Sequence, residues 1–549
     1  MMSTNEIMKE LVLDGQTLTP DDVVRAARGD GTGAWPKVSL GEDARRITEE
    51  VRAYVEKNWL TDEAPPIYGI NTGLGRLRDV RISAADFESY QRHIIESHSA
   101  GIGEPITEEQ ARATMVLRVN ALAKGCSGLR VACLDRLLAM LNAGIHPVIP
   151  SQGSVGASGD LAPLAHLVTV MVGHPKAEAF YKGQRMAAAD AFAAAGLPTD
   201  FDLKPKDVLA LINGSTVALG ISILALADAK LLAKNADIAL ALSVEAMRGE
   251  LNAFDERIHQ VRNCPMQVLV SGNVLKVVSE SQWTTEEARQ VKLPDEVRPN
   301  DIYVPRVQDP YSLRCAPQVH GAARDALLYA ETLLGREANA ATDNPLIFPD
   351  GKGDYVVLSG GNFHGEPIGY AADLIALAVA EIGAISERRS YRLTDPTMSY
   401  GLPLNLVGGM LGLNTGFSLV HCSAAALASE NKVLCFPSVA DSLPTKANQE
   451  DHVSMCTFSA RKAVMVVKNT SAILAVEFLC AAQGIDLASK TLGERKIGTG
   501  SAAAKGRLRN DIDATGEDHY QSSDMYVAQE LVRSGALVAA VETAIGAIG

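Results

Sequence analysis

Along the chain the spacing of apolar residues changes character near residue 213. Before it, short helical periodicities alternate with loops rich in Gly and Pro, such as 61–76 and 146–163. After it, from Thr216 to Glu250, apolar residues recur three and four apart with no proline, which predicts one helix about 50 Å long. Further Ala/Leu-rich helical stretches cover 318–341, 366–391, 415–431 and 455–483. Helices that are apolar on several faces need partners all round, so the pattern predicts a bundle and packing between subunits. The polar segment 280–305, punctuated by Lys292, Pro294, Asp295 and Pro299, reads as a surface connection. The expected organisation is a mixed domain over 1–215, a long-helix bundle over 216–485 and a helical appendage over 486–549. Within the appendage the Gly/Ser/Ala run 498–506 is expected to be mobile.

Composition narrows the partners. Aromatic residues are only 5% of the 549, while Ala and Leu abound, which favours packed helices over sheets. The formal net charge of −14 opposes binding to nucleic acid or to an anionic membrane. The eight cysteines, scattered from Cys126 to Cys480, form no CxxC pair; buried free thiols in a reducing compartment are expected. The N-terminal run carries acidic residues and no apolar signal core, and no stretch reaches 18 uninterrupted apolar residues. A soluble, cytoplasmic protein is expected.

The most informative stretch is Gly153-Ser154-Val155-Gly156-Ala157-Ser158-Gly159-Asp160-Leu161-Ala162-Pro163. It reads as a tight Gly-rich turn feeding a helix, with Asp160 as N-cap and Pro163 tolerated in the first turn. The turn would then lie at the positive end of a helix dipole. A phosphate cradle is a second reading, opposed by the absence of GK[ST] and GxGxxG and by the lack of a clear preceding strand. In this setting Ala157-Ser158-Gly159 resembles the precursor of the methylidene-imidazolone electrophile of the histidine and aromatic amino acid ammonia-lyases and aminomutases. The resemblance implies that the Gly159 nitrogen attacks the Ala157 carbonyl and that two waters leave, one of them from the Ser158 side chain. Gly159 has no Cβ to obstruct that approach.

The likeness extends over most of the chain, from about residue 10 to 545. Tyr68-Gly69-Ile70-Asn71-Thr72-Gly73-Leu74-Gly75 resembles the family's tyrosine loop, which makes Tyr68 the base that removes the β-proton; a free phenol, with a pKa of about 10, needs nearby positive charge for this. Leu74 departs from the aromatic residue usual there. Leu211-Ile212-Asn213-Gly214-Ser215 resembles the Asn-Gly loop, implying that Asn213 binds the electrophile's oxygen or the substrate carboxylate. Gln308-Asp309-Pro310-Tyr311-Ser312-Leu313-Arg314 resembles a run of the histidine enzymes: Arg314 would grip a carboxylate, Tyr311 would lie near the electrophile and Gln308 beside the substrate. Gly360-Gly361-Asn362-Phe363-His364-Gly365-Glu366 brings Phe363 near the electrophile. Its His364 and Glu366 could form a metal pair, but no third ligand is suitably spaced, so no metal is expected.

What the resemblance implies is a mainly α, fumarase/aspartase-like long-helix bundle with a mixed N-terminal domain bearing the electrophile. It further implies a homotetramer with active sites shared between subunits. No nucleotide or pyridoxal phosphate is implied. Substrate signals divide. Asn448-Gln449-Glu450-Asp451-His452 matches the histidine version, with Glu450 facing the pocket, and His98 in Ser97-His98-Ser99 matches its Ser-His pair. Ser418 stands where a Met is usual, Lys446 replaces a small polar residue, and Met398-Ser399-Tyr400-Gly401-Leu402-Pro403 resembles a bacterial tyrosine aminomutase segment. The 280–305 connection is also longer than in typical histidine enzymes. Weighing Glu450 most, the expected reaction is elimination of ammonia from histidine to give urocanate. A tyrosine or phenylalanine lyase, or a 2,3-aminomutase using the same electrophile, is the alternative.

Overall fold

The computed structural model describes residues 9–32, 34–293 and 307–549. Helices take 57% of the described residues and strands 8%, the mainly α composition that the apolar spacing predicts. Two compact units emerge, neither continuous in sequence. The first comprises residues 1–227, 330–373 and 437–462; the second comprises 228–329, 374–436 and 463–549.

The first unit holds the β structure. Leu11–Leu13 pairs parallel with Val38–Leu40, and Ile145–Pro147, Glu178–Tyr181 and Gln184–Ala187 form an antiparallel sheet of three strands. Ile102–Pro105 pairs antiparallel with Pro150–Gln152. That last strand runs directly into the Gly-rich turn, so the turn does follow a strand, contrary to the sequence reading. A capping box of Thr107 and Gln110 starts the helix Glu108–Leu122. Nearly every side chain of that helix is buried, including Arg112 and Arg118.

The long helices run Thr216–Ala246, Ala316–Glu337, Glu366–Thr394, Ser418–Leu434 and Cys456–Leu492. Thr216–Ala246 stops four residues before the expected Glu250. Arg248 turns left-handed there (φ 52°), and its guanidinium donates to the Ala288 and Val291 carbonyls. Three of these helices, Thr216–Ala246, Glu366–Thr394 and Cys456–Leu492, are long and apolar enough to cross a membrane by length and composition. In each, between 67% and 78% of the most apolar window is buried inside the protein. Their apolar faces are therefore spent on packing.

Two local expectations fail. Residues 498–506 are not a mobile run but most of a helix, Thr499–Arg509. Gly500 serves close packing: a Cβ there would lie 2.8 Å from the Val277 Cα. The cysteines are all free, but only Cys133, Cys456 and Cys480 are buried, and Cys422 is exposed. The expected connection at 280–305 is described as far as residue 293, where it carries the short helix Glu286–Gln290; the rest lies outside the described residues.

The second unit is braced by buried charge. Arg389 and Glu477, both fully buried, meet through two parallel hydrogen bonds of 2.5 and 2.8 Å, and Ser243 Oγ donates to the same carboxylate at 2.6 Å. Deleting one partner strands the other charge in an apolar interior. Glu477→Ala is accordingly expected to cost about 3–5 kcal/mol. The check is denaturant or thermal unfolding against wild type; a melting curve unchanged by the substitution would refute this account of the brace.

Candidate active site

The Gly-rich turn is built by close backbone approach. Gly159 and Gly214 form an isolated parallel bridge, with Asp160 N–H donating to Gly214 O at 2.8 Å. Gly159 has φ +71°, and a Cβ there would overlap the Gly214 backbone, so only glycine fits. The contact brings together the starts of two helices, Leu161–Met171 and Thr216–Ala246. Both present the positive ends of their dipoles to this region.

Asp160 occupies the N-cap position of Leu161–Met171, but its side chain does not cap that helix as the sequence predicts. It is fully buried and accepts from Ala218 N–H (2.8 Å), Ser154 Oγ (2.8 Å) and Thr457 Oγ1 (2.6 Å). The carboxylate thus caps the other helix, Thr216–Ala246, and ties in the start of Cys456–Leu492. Burial pushes its pKa up, against the lowering effect of these hydrogen bonds. Met455 N–H to Val155 O (2.9 Å), Gly365 N–H to Gly156 O (3.0 Å) and Ser454 Oγ to Gly156 O (3.2 Å) complete the clasp around the turn.

A cavity of about 1140 Å³ opens beside it, lined by Tyr68, His98, Ala157, Ser158, Asn213, Phe363, Lys446 and Glu450 among others. Eight of the residues singled out from sequence therefore converge. Gly159 is not among the lining residues; it is held in the bridge to Gly214. Gln308, Tyr311, Arg314 and Ser418 do not line this cavity; they belong to the second unit. There Tyr311 is 70% exposed, and the Arg314 guanidinium stacks 4.5 Å above its ring while donating to Asp309 O at 2.8 Å.

Within the cavity, Ser158 Oγ donates to the Glu450 carboxylate. Tyr68 OH accepts from Gly75 N–H at 3.2 Å. Asn213 donates through its side-chain amide to Asp343 Oδ1 and Asn344 O, and its carbonyl accepts from the buried Arg118 at 2.7 Å. Burial lowers the Arg118 pKa to about 10. His98 ends the helix Phe87–His98, its Nδ1 2.9 Å from Ile94 O, and burial lowers its pKa.

Sequence reasoning missed part of the wall. Tyr90, His93 and Ile94 line the cavity together with Ser97 and His98. These positions are spaced three and four apart on one helix, a stripe that could have been read. The Tyr90 phenol is raised to about 12, first by burial and then by the nearby Tyr68.

A family model described as aromatic amino acid lyase matches residues 18–510. The chain belongs to the aromatic amino acid lyase family. A histidine ammonia-lyase of Alkaliphilus oremlandii is 44% identical over 539 residues, covering 98% of this chain and 99% of that protein. The crystal structure of histidine ammonia-lyase from Trypanosoma cruzi superposes with a TM-score of 0.85 at 38% identity, covering 98% of this chain and 96% of its own. The tyrosine aminomutase of Streptomyces globisporus reaches 0.87 at 32% identity, covering 98% and 99%. The fold is therefore shared by a histidine ammonia-lyase and a tyrosine aminomutase and does not by itself choose between them.

The polar end of the cavity is an ion pair. Lys446 Nζ lies 2.7 Å from Glu450 Oε1, and Thr445 Oγ1 donates to Oε2 at 2.8 Å. Lys446, Ala447 and Asn448 all adopt left-handed backbone (φ 48°, 54° and 62°), an unusual run of three non-glycine residues that carries the lysine into place. Burial raises the Glu450 pKa, but the hydrogen bonds from Lys446 and Ser158 and the lysine charge outweigh it, leaving the carboxyl below its ordinary value. A depressed carboxyl adds stability above its unfolded pKa and loses it as pH falls through the folded one. In Lys446→Met that loss should begin at higher pH than in wild type. Thermal melts across about pH 3 to 7 check this, and coincident profiles would count against the pair.

Proposed function

We propose that the chain eliminates ammonia from L-histidine to give urocanate, using an electrophile made from Ala157, Ser158 and Gly159. The observation that carries this reading is the Ser158 hydroxyl donating to the Glu450 carboxylate, with its neighbour Gly159 held in close contact with Gly214. The triplet fits self-cyclisation. Gly159 has no Cβ and an approach no other residue allows, Ala157 is buried, and Ser158 offers a hydroxyl to leave as water. The Gly159 nitrogen bonds to the Ala157 carbonyl carbon, whose oxygen departs as one water. The Ser158 hydroxyl and α-hydrogen depart as a second. The methylidene-imidazolone so formed supplies an electrophilic alkene that makes the substrate's amino group a better leaving group.

The remaining work falls to side chains. Tyr68 takes the β-proton as general base. The two helix starts and Lys446 stabilise negative charge near the turn. Glu450, kept ionised by Lys446, accepts a hydrogen bond from the imidazole N–H of histidine, with His98 and Phe363 bounding the ring. Asn213 holds the electrophile's oxygen or the substrate carboxylate. Gln308, Tyr311, Arg314 and Ser418 are assigned to the site of a neighbouring copy in a homotetramer, where Arg314 grips the substrate carboxylate. The exposure of Tyr311 supports that assignment. We place the enzyme in the cytoplasm.

A second reading has its own observation. Lys446 already neutralises Glu450, and a phenol can satisfy the same carboxylate, so tyrosine is the rival substrate. Incubating the pure protein separately with His, Tyr and Phe decides the matter: urocanate and free ammonia from His are expected. Robust turnover of Tyr with none of His would overturn the substrate, and β-amino acid without free ammonia would mark a mutase. The intact chain should weigh two waters less than its encoded sequence, and Ser158→Ala should keep full mass and lose nearly all activity. A full-mass wild-type protein that still turns over would sink the electrophile.

The assignment of the base is tested apart from this. Tyr68→Phe should lower kcat about a hundredfold or more while substrate binding changes little. A near-normal kcat would mean that another group removes the proton.

A further inference from the structure

The sequence offers His364 and Glu366 as a metal pair without a third ligand. Folding supplies one. His452, 88 residues further on, brings its imidazole beside the other two, and one ligand atom from each of the three lies within 4.8 Å of the others. Glu366 Oε2 is 3.8 Å from His364 Nδ1 and 3.9 Å from His452 Nε2. The two imidazole rings stack nearly parallel, with centroids 5.7 Å apart. Glu366 Oε2 is itself buried and has no hydrogen-bond partner. A desolvated carboxylate oxygen left in that state costs free energy unless something positive sits against it. The gaps on either side are too wide for hydrogen bonds, but two metal–ligand bonds of about 2.0–2.2 Å span each of them with an ion between.

From this geometry we propose that His364, Glu366 and His452 bind a divalent transition-metal ion. Two imidazoles and one carboxylate are a borderline donor set, suited to Zn²⁺, Co²⁺ or Ni²⁺ rather than to Mg²⁺ or Ca²⁺, which prefer oxygen throughout. Three protein ligands leave at least one coordination position open. His364 and His452 also line the cavity that holds Ser158 and Glu450. A bound ion therefore adds two positive charges at the cavity wall, together with an open position that captures an amino or carboxylate group of an entering molecule. Occupancy obstructs the cavity and lowers turnover. The binding claim stands independently of the lyase assignment, and only the inhibition rests on it.

The test uses the full-length chain and Co²⁺, whose ligand-field absorption reports coordination directly, with Zn²⁺ competing. Wild type should take up one Co²⁺ per chain with visible absorption that Zn²⁺ displaces. His452→Gln should weaken this about tenfold or more, since even an outer-shell partner is worth that much. His452 is 66% exposed, so its replacement should leave the metal-free melting temperature unchanged. Glu366→Gln should likewise abolish the absorption. No stoichiometric uptake by wild type, or equal affinity in His452→Gln, would overturn the site. Turnover should fall with bound Zn²⁺, recover with a chelator and resist Zn²⁺ in His452→Gln; binding without any effect on turnover would overturn the inhibitory role alone. A protein inactive on every amino acid tried would refute the lyase reading, while the absorption would still decide the metal site.

Discussion

One buried carboxylate ties together the segments that surround the candidate electrophile. Asp160 receives hydrogen bonds from the Ser154 hydroxyl, the first turn of Thr216–Ala246 and the Thr457 hydroxyl. These come from three stretches of sequence, and contacts of Gly214, Ser454 and Met455 with residues 155–160 hold the same stretches together. Hydrogen bonds to a charged acceptor are worth about 1.5–3 kcal/mol each, and in a fully buried setting each donor would be left unsatisfied without it. The arrangement fixes where the backbone of residues 153–160 runs, and with it the Gly159–Gly214 contact. The geometry of Ser158 is thus set by a residue that does not touch the cavity.

The parts of this protein that sequence made legible are those governed by local chemistry. Apolar residues three and four apart located the long helices to within a few residues at most ends, because their packing faces are nearly continuous. The glycines of the turn announced a backbone that other residues cannot adopt. What stayed hidden was set by tertiary contact. Asp160 looked like the cap of the helix it precedes, but the stronger demand came from the exposed amides of another helix. The run 498–506 looked loose because glycine and serine are weak helix formers, yet Gly500 is needed where a side chain would collide with Val277. The partnership of His452 with His364 and Glu366 joins segments that no spacing rule connects.

At the polar end of the cavity the protein's own side chains already occupy the acceptor that Glu450 offers. Glu450 lines the cavity, and Lys446, four residues earlier on a left-handed turn, already holds one of its oxygens. Its second oxygen takes a hydrogen bond from Thr445. Any substrate ring must therefore compete with, or share, contacts the protein makes with itself. Such competition favours ligands that bring a donor of their own over ligands that bring only apolar surface.

The clasp around the Gly-rich turn also has a temporal side. Thr457, which holds Asp160, is 297 residues away in sequence, and Glu450, which receives the Ser158 hydroxyl, is 292 away. During synthesis the turn emerges from the ribosome long before either partner exists. A nascent or truncated chain can therefore carry the triplet without the contacts that residues 450–457 supply. Chain order thus sets the earliest moment at which the clasp can be complete: not before Glu450 and Thr457 have joined it.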